Sequence, residues 1–142
     1  LATLLDYQAH AHVYTCGPEN FMHAVLDTAK SNGFAENQRH MEYFSAPDIP
    51  ASSNHDFTLK LAQSQQEFHI PATKSATEVL IEAGVNIEVK CADGICGVCK
   101  CAIVAGQVEH RDFVLSNQQR QTHMILCQSR AAQPDGILEV DL

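Results

Sequence analysis

The sequence predicts an α+β protein in which a small β-sheet wraps around one helix, preceded by a shorter strand–turn–helix segment. Three observations lead to this fold class. A β-hairpin pattern begins at Phe57, a helix with a capping box begins at Ser75, and strand-like runs follow a long cysteine-rich loop up to the last residue. Strands and helices that are grouped in this way are typical of α+β folds.

Residues 1–44 predict one strand, one turn and one helix. Residues 12–16 (HVYTC) form a short β-rich run, and Gly17 and Pro18 follow. Proline suits the first position of a helix. Apolar residues then recur at helical spacing up to Gly33, which predicts the helix end. A single strand and helix have nothing else to pack against, so we interpret residues 1–44 as the C-terminal remnant of a larger α/β domain.

A linker is predicted over residues 45–56. The stretch SAPDIPASSNH at 45–55 contains two prolines and three serines and shows no hydrophobic periodicity. Such a composition is typical of a connecting segment. The linker separates the first segment from a second domain, which is predicted over residues 57–142.

The second domain is predicted to contain a hairpin, one helix, a long loop and closing strands. The hairpin shows apolar residues alternating with polar ones at 57, 59 and 61, and again at 68 and 70. The capping box SATE at 75–78 begins a helix that ends at Gly84. A strand is predicted at 102–108, a short apolar run follows at 124–127, and residues 137–142 end the chain with apolar side chains on one face.

Charge and hydropathy exclude two classes of partner. The net charge is −8, and both parts are acidic, with 7 acidic against 2 basic residues before Phe57 and 10 against 7 from Phe57 onward. The sequence has no basic stripe of the kind that binds nucleic acid. No run approaches the ~18 apolar residues of a membrane span. We therefore expect neither nucleic acid nor membrane as a partner, whereas an acidic surface fits a basic protein.

The cysteines carry the strongest functional signal. The stretch CADGICGVCKC at 91–101 holds four of the six cysteines, and thiols so close together favour metal or redox chemistry over distant disulfides. The spacing C-x4-C-x2-C, with one more cysteine far downstream, is typical of a plant-type 2Fe–2S centre. The predicted ligands are Cys91, Cys96, Cys99 and Cys127. Gly94 and Gly97 are expected to supply the positive φ values that let the loop wrap around a cluster.

Zinc and Rieske sites fit the cysteine pattern less well than a plant-type 2Fe–2S centre. Structural zinc sites use two C-x2–4-C pairs, whereas only one tight pair lies in this loop. A Rieske centre is excluded, because it requires two histidines in the ligand motifs. Cys101 is interpreted as a core thiol, with a substitute ligand as the alternative. His10 and His12 could bind a metal, but we interpret them as surface residues.

Several further motifs resemble one family of reductases. CADGICGVC, EHRD at 109–112, LCQSRA at 126–131 and the terminal LEVDL together resemble phthalate dioxygenase reductase and its relatives, including vanillate demethylase reductase. The resemblance runs continuously over 57–142 and implies the β-grasp fold of a plant-type ferredoxin. VYTCGPENFM, at the start of the chain, resembles the last strand, turn and helix of a ferredoxin-reductase-type NAD domain.

The resemblance also implies cofactors and partners. Cys16, Gly17 and Pro18 would lie beside the nicotinamide, although a structural thiol is the alternative for Cys16. In this family the order of flavin, NAD and ferredoxin domains implies FMN and NADH as cofactors of the full-length protein. Electrons would pass from the flavin domain of the same chain, through the 2Fe–2S cluster, to a Rieske-type oxygenase component in the bacterial cytoplasm.

Three hypotheses about function follow. The first is the electron-transfer part of an NADH-dependent oxygenase reductase. The second is a free-standing ferredoxin, which residues 1–44 argue against. The third is a zinc-binding interaction module. The flavin site and most of the NAD domain do not occur in these 142 residues, so we expect the chain alone not to oxidise NADH.

Overall fold

The computed structural model describes residues 5–46 and 54–142, and the chain divides into two compact units between Ser45 and Ala46. Residues 47–53 of the predicted linker lie outside the described residues. Within the described ranges, no helix is long and apolar enough to cross a membrane.

The first unit contains two parallel strands and one helix. Strand β1 (Val13–Cys16) pairs with β2 (Arg39–Glu42), and helix α1 (Glu19–Ser31) lies between them in sequence. A 3₁₀ turn (Glu36–Gln38) precedes β2. The predicted strand and helix are confirmed, but the expectation of a single strand is wrong. The sequence pattern does not predict strand β2, because its sequence, RHME, contains only one apolar residue.

The second unit is built on a five-stranded mixed sheet. The strand order is β4-β3-β9-β5-β7, in which β3 and β9 are parallel and the other neighbours are antiparallel. The sheet strands are β3 (Phe57–Leu61), β4 (Glu67–Ile70), β5 (Lys100–Ala105), β7 (His123–Ile125) and β9 (Ile137–Val140). The short strands β6 (Val108–Glu109) and β8 (Arg130–Ala131) form a separate antiparallel pair.

Two helices accompany this sheet, and each begins with a capping box. In α2 (Ala76–Glu82), Ser75 Oγ accepts a hydrogen bond from the N–H of Glu78, while the N–H of Ser75 donates to the Glu78 carboxylate. The predicted start of this helix is therefore confirmed. The short helix α3 (Asn117–Arg120), capped by Ser116, was not predicted, because a single turn of polar residues carries no hydrophobic periodicity.

The core of the second unit lies between the sheet and α2. Apolar side chains from both hairpin strands, α2 and the closing strand are almost fully buried there. The largest are Phe57, Leu59, Ile70, Leu80, Met124, Ile125, Leu138 and Val140. The alternation read from the hairpin thus reflects a sheet with one face in the core.

The observed strands differ at their ends from the predicted strand at 102–108 and from the apolar run at 124–127. The run at 102–108 is interrupted at Gly106 and Gln107, because β5 pairs within the main sheet whereas β6 pairs with β8. The run at 124–127 ends as a strand at Ile125. Its last residue, Cys127, is therefore free to take part in the loop chemistry described below.

The last residues of the predicted linker belong structurally to the second unit. Asn54 Nδ2 donates to the carbonyl of Ala72 at 3.0 Å, and the N–H of Ala72 donates to Asp56 Oδ1 at 2.7 Å. His55 Nε2 lies 2.8 Å from the carbonyl of Ala131. Residues 54–56 therefore form hydrogen bonds with the second unit rather than acting as a free connection.

Candidate metal centre

Three of the predicted ligands lie on an irregular loop between α2 and β5. Cys91, Cys96 and Cys99 lie on this segment, which is neither helix nor strand. Cys127 follows β7 and is brought to the end of the loop by a hydrogen bond of 3.2 Å from the N–H of Leu126 to the carbonyl of Cys99. The fold thus brings together residues that are far apart in sequence.

The four thiols form two interacting pairs. The side chains of Cys91 and Cys96 interact with each other, as do those of Cys99 and Cys127. Cys99 and Cys127 are buried, Cys91 is half-buried and Cys96 is exposed. One pair therefore lies towards the core, whereas the other extends to the surface.

The first pair lies in a setting that favours a thiolate. Burial opposes ionisation of the Cys91 thiol, but hydrogen bonds from the Cys96 side chain and from backbone N–H groups outweigh burial and lower the pKa of Cys91 to about 7. The backbone donors belong to Asp93, Ile95 and Cys96. The N–H of Asp93 lies 3.4 Å from the Cys91 sulfur.

The second pair shares a proton. The hydrogen bond from Cys127 outweighs burial and lowers the pKa of Cys99 to about 6, whereas that same bond and burial raise the pKa of Cys127. The first proton leaves the pair easily because the remaining S–H donates to the new thiolate. The second leaves with difficulty because two thiolates would then face each other. A bound cation is what would hold both sulfurs in the thiolate form.

The loop backbone turns inward at residues with positive φ. Gly94 and Gly97 have φ values of 72° and 74°, which confirms the conformation predicted for both glycines. Ala92 also has a positive φ, of 61°, which the sequence did not reveal because alanine rarely adopts this conformation. The N–H of Gly94 interacts with the Cys127 sulfur. Backbone donors therefore face both thiol pairs.

Two contacts from outside hold the loop in this shape. The N–H of Phe113 donates to the carbonyl of Gly94 at 3.0 Å. Gln128 Nε2 donates to the carbonyl of Ala92 at 2.8 Å. Phe113 and Gln128 lie next to or within the EHRD and LCQSRA motifs, so these segments help to shape the loop.

Cys101 lies apart from these pairs, in the core. It sits on β5 opposite Met124 and is 6% exposed. Burial, with smaller contributions from Cys99 and Asp141, raises the pKa of Cys101 to about 12. A neutral, buried thiol behaves as a small apolar group, in agreement with the interpretation of Cys101 as a core residue.

The residues predicted beside the nicotinamide lie in the first unit. Cys16 is exposed at the carboxyl end of β1. Gly17 follows, and Pro18, the expected first helical residue, is instead the N-cap residue of α1, which begins at Glu19. The three residues thus form the turn between β1 and α1, and the thiol of Cys16 is exposed to solvent within this unit.

The two histidines considered as metal ligands are both exposed, as expected for surface residues. His12 nevertheless has a partner, because its Nδ1 lies 2.9 Å from Nε2 of His40. The ring of Tyr14 stacks on His40 with 4.4 Å between centroids. Among the described residues, no group of three or more His, Cys, Asp or Glu side chains is gathered closely enough to hold one metal ion.

Comparison with known proteins gives relatives over nearly the whole chain. Vanillate O-demethylase oxidoreductase of Acinetobacter baylyi is 37% identical over 133 residues, which cover 92% of this chain and 41% of that protein. A solved structure of phthalate dioxygenase reductase is 35% identical with a TM-score of 0.71, covering 99% of this chain and 43% of that one. A type IV self-sufficient cytochrome P450 monooxygenase is 28% identical with a TM-score of 0.75, covering 99% and 18%.

The chain thus spans less than half the length of these proteins. The similarities confirm the α+β ferredoxin-type fold and the resemblance to the phthalate dioxygenase and vanillate demethylase reductases. A family model described as a 2Fe-2S iron-sulfur cluster binding domain matches residues 59–132, a little over half of the sequence. The chain therefore belongs to the family of 2Fe-2S iron-sulfur cluster binding domains.

Proposed function

We propose that this chain relays single electrons through a 2Fe–2S cluster bound by four cysteine thiolates. The proposed ligands are Cys91, Cys96, Cys99 and Cys127. The observation that carries this assignment is their arrangement in two pairs, because a 2Fe–2S cluster has two irons and each takes two cysteines. A bound cluster supplies one-electron redox chemistry.

The surrounding residues suit this role. The thiolates bring four negative charges, and the backbone N–H groups of Asp93 and Gly94 face the sulfurs and stabilise that charge. Such hydrogen bonds also influence the reduction potential. Cys99 and Cys127 are excluded from water, whereas the exposed Cys96 brings one side of the site to the surface. A redox partner can approach there without any rearrangement of the core.

In the full-length protein we place this domain after a flavin domain and an NAD domain. We assign residues 1–44 to the end of the NAD domain and residues 57–142 to the ferredoxin domain. Residues 54–56 of the predicted linker form hydrogen bonds with the second unit, so we assign them to the ferredoxin domain as well. The phthalate dioxygenase reductase structure is described as modular, with electron transfer from pyridine nucleotides to 2Fe–2S. By analogy, NADH reduces FMN in the same chain, and Cys16, Gly17 and Pro18 lie on the nicotinamide side.

The proposed acceptor is a Rieske-type oxygenase component in the bacterial cytoplasm. Plant-type clusters have potentials near about −400 mV, and Rieske centres lie between about −150 and +300 mV. The smallest gap, ~250 mV, corresponds to about four decades in equilibrium constant at ~59 mV each. Transfer to such a partner is therefore strongly favourable.

Two other functions give different observable results. A free-standing ferredoxin would have no use for the strand–turn–helix of residues 1–44, whose described part forms a compact unit with its own core. A zinc module would be colourless and hold no sulfide. Iron and sulfide analysis, with EPR of the reduced protein, separates a zinc site from the cluster.

The ligand assignment is tested with a matched pair of buried cysteines. Cys127→Ser should lose most of the visible absorption, or shift it strongly, because one iron loses its thiolate. Cys101→Ser changes an equally buried thiol and should keep the full spectrum. An unaltered spectrum for Cys127→Ser, or a bleached one for Cys101→Ser, would refute the assignment.

The electron path is tested with the purified, cluster-loaded chain. We expect no NADH-dependent cytochrome c reduction by the chain alone, because the proposed flavin and nucleotide-phosphate sites lie outside it. After chemical reduction, the chain should be reoxidised rapidly by a Rieske oxygenase and slowly by a P450 haem protein. The reverse preference would argue against a Rieske partner.

A further inference from the structure

Asp112 is a fully buried carboxylate beside the cysteine loop. Its side chain has no exposure to solvent, and its Oδ2 accepts hydrogen bonds from the N–H of Val114 at 3.3 Å and of Leu115 at 2.8 Å. An Asp side chain that accepts from the backbone two and three residues later fixes a tight turn. This carboxylate therefore determines the shape of residues 112–115.

The next segment returns to the same residue. Ser116 caps α3, and Arg120 at the end of that helix donates from Nη2 to the carbonyl of Asp112 at 2.6 Å. The same Nη2 lies 3.5 Å from Oδ2, and His110 Nδ1 lies 3.6 Å from Oδ1. The charge of Arg120 thus offsets part of the cost of burying the Asp112 carboxylate, whereas Oδ1 of Asp112 and Nδ1 of His110 face each other without a hydrogen bond.

The turn fixed by Asp112 is directly connected to the cluster loop. Phe113, the next residue, donates its N–H to the carbonyl of Gly94. A Cβ added to Gly94 would lie 3.3 Å from the Cα of Asp112, so the two backbones are in close contact. The N–H of Gly94 in turn interacts with the sulfur of Cys127. A continuous set of contacts therefore leads from the buried carboxylate to a proposed ligand.

We propose that Asp112 is a positioning residue that sets the reduction potential of the bound cluster by holding the 112–115 turn against Gly94. This inference rests on the proposed function, since it requires a cluster at Cys127. The N–H of Gly94 stabilises negative charge on the sulfur, and reduction adds negative charge. Loss of this contact therefore makes reduction less favourable and lowers the potential.

The test compares two variants that both remove the carboxylate charge. Asp112→Asn keeps an oxygen that can accept from the N–H of Leu115, whereas Asp112→Ala keeps none. The difference between their potentials isolates positioning from charge. We expect the equilibrium constant for reduction to be about tenfold smaller in Asp112→Ala than in Asp112→Asn. This corresponds to a reduction potential that is ~59 mV lower for a one-electron step.

A spectroscopic measurement supplements the potential. The g-values of the reduced cluster in Asp112→Asn should match those of the unmodified chain, and those of Asp112→Ala should be shifted. Glu82→Gln removes an exposed carboxylate paired with Lys74 and should alter neither readout. If Asp112→Ala does not assemble a cluster, Asp112→Ser takes its place, because the shorter hydroxyl holds the turn less well.

The outcomes separate this inference from the proposed function. Equal potentials and g-values in the alanine (or serine) and asparagine variants, whatever their stabilities, would overturn the positioning role while leaving the cluster assignment intact. Absence of the cluster spectrum from the unmodified chain would instead overturn the proposed function and, with it, this inference. A lower potential with altered g-values in the alanine variant alone supports the positioning role.

Discussion

Arg130 is predicted to be one of the most important residues for the stability of the second unit. Its guanidinium is bound by three backbone carbonyls. Nε and Nη2 both donate to the carbonyl of His55, and Nη2 also donates to the carbonyl of Pro71. Nη1 donates to the carbonyl of Lys74, and all four distances lie between 2.8 and 3.0 Å. The guanidinium lies 5.0 Å above the ring of Phe57, and the residue is only 4% exposed.

Replacement by methionine keeps most of the side-chain length but removes every donor. Three carbonyls then lose a partner, and an unsatisfied buried acceptor costs about 1–3 kcal/mol. The summed cost is smaller than three such penalties, because water can reach some of these carbonyls and because the variant no longer buries a charge. We expect Arg130→Met to lower the free energy of unfolding by about 3 kcal/mol. Arg130→Lys keeps the charge, but the lysine side chain cannot reach all three carbonyls. We therefore expect it to lower the free energy of unfolding by about half as much as Arg130→Met.

The assay is the rate at which the cluster-loaded chain loses its visible absorption in a fixed urea concentration, because cluster loss makes unfolding irreversible. About 3 kcal/mol corresponds to about a hundredfold faster bleaching, if these contacts are absent from the unfolding transition state. The matched control is Lys74→Met, which removes a positive charge from a surface ion pair with Glu82 and should have little effect. Equal bleaching rates for Arg130→Met and Lys74→Met would refute this reasoning.

Three further predictions concern the same unit. Cys101→Ala should leave the spectrum and potential nearly unchanged and lower the stability by about 1 kcal/mol; loss of iron in this variant would identify Cys101 as a ligand. Gly94→Ala should accelerate cluster loss, because φ is 72° and the new Cβ would lie 3.0 Å from Gln128 Cγ; unchanged bleaching would show that the loop tolerates the shift. A chain beginning at Asn54 should fold and hold the cluster, whereas one beginning at Phe57 should bleach faster, since it lacks a carbonyl that binds Arg130; equal rates would place the boundary at Phe57.

Local signals in the sequence predicted the parts of the fold that depend on local physics. The hairpin alternation and the capping box at Ser75 reflect short-range rules, and both elements formed where expected. Strand β2 and helix α3 were missed because their residues are mostly polar and pairing partners, rather than periodicity, define them. The linker was misjudged at its end for a similar reason, because residues 54–56 look flexible by composition but form hydrogen bonds with distant segments.

The candidate site shows the same division between chemistry and geometry. A thiolate ligand must be a cysteine, so the spacing of Cys91, Cys96 and Cys99 is visible without a structure. Asp112 and Gln128 act on the backbone of the cysteine loop, and backbone groups are the same at every position. Their partners therefore leave no pattern in the sequence, even though both residues lie in motifs that resemble the reductase family. Sequence reasoning thus identified the proposed iron ligands, whereas the contacts that shape the loop around them became apparent only from the fold.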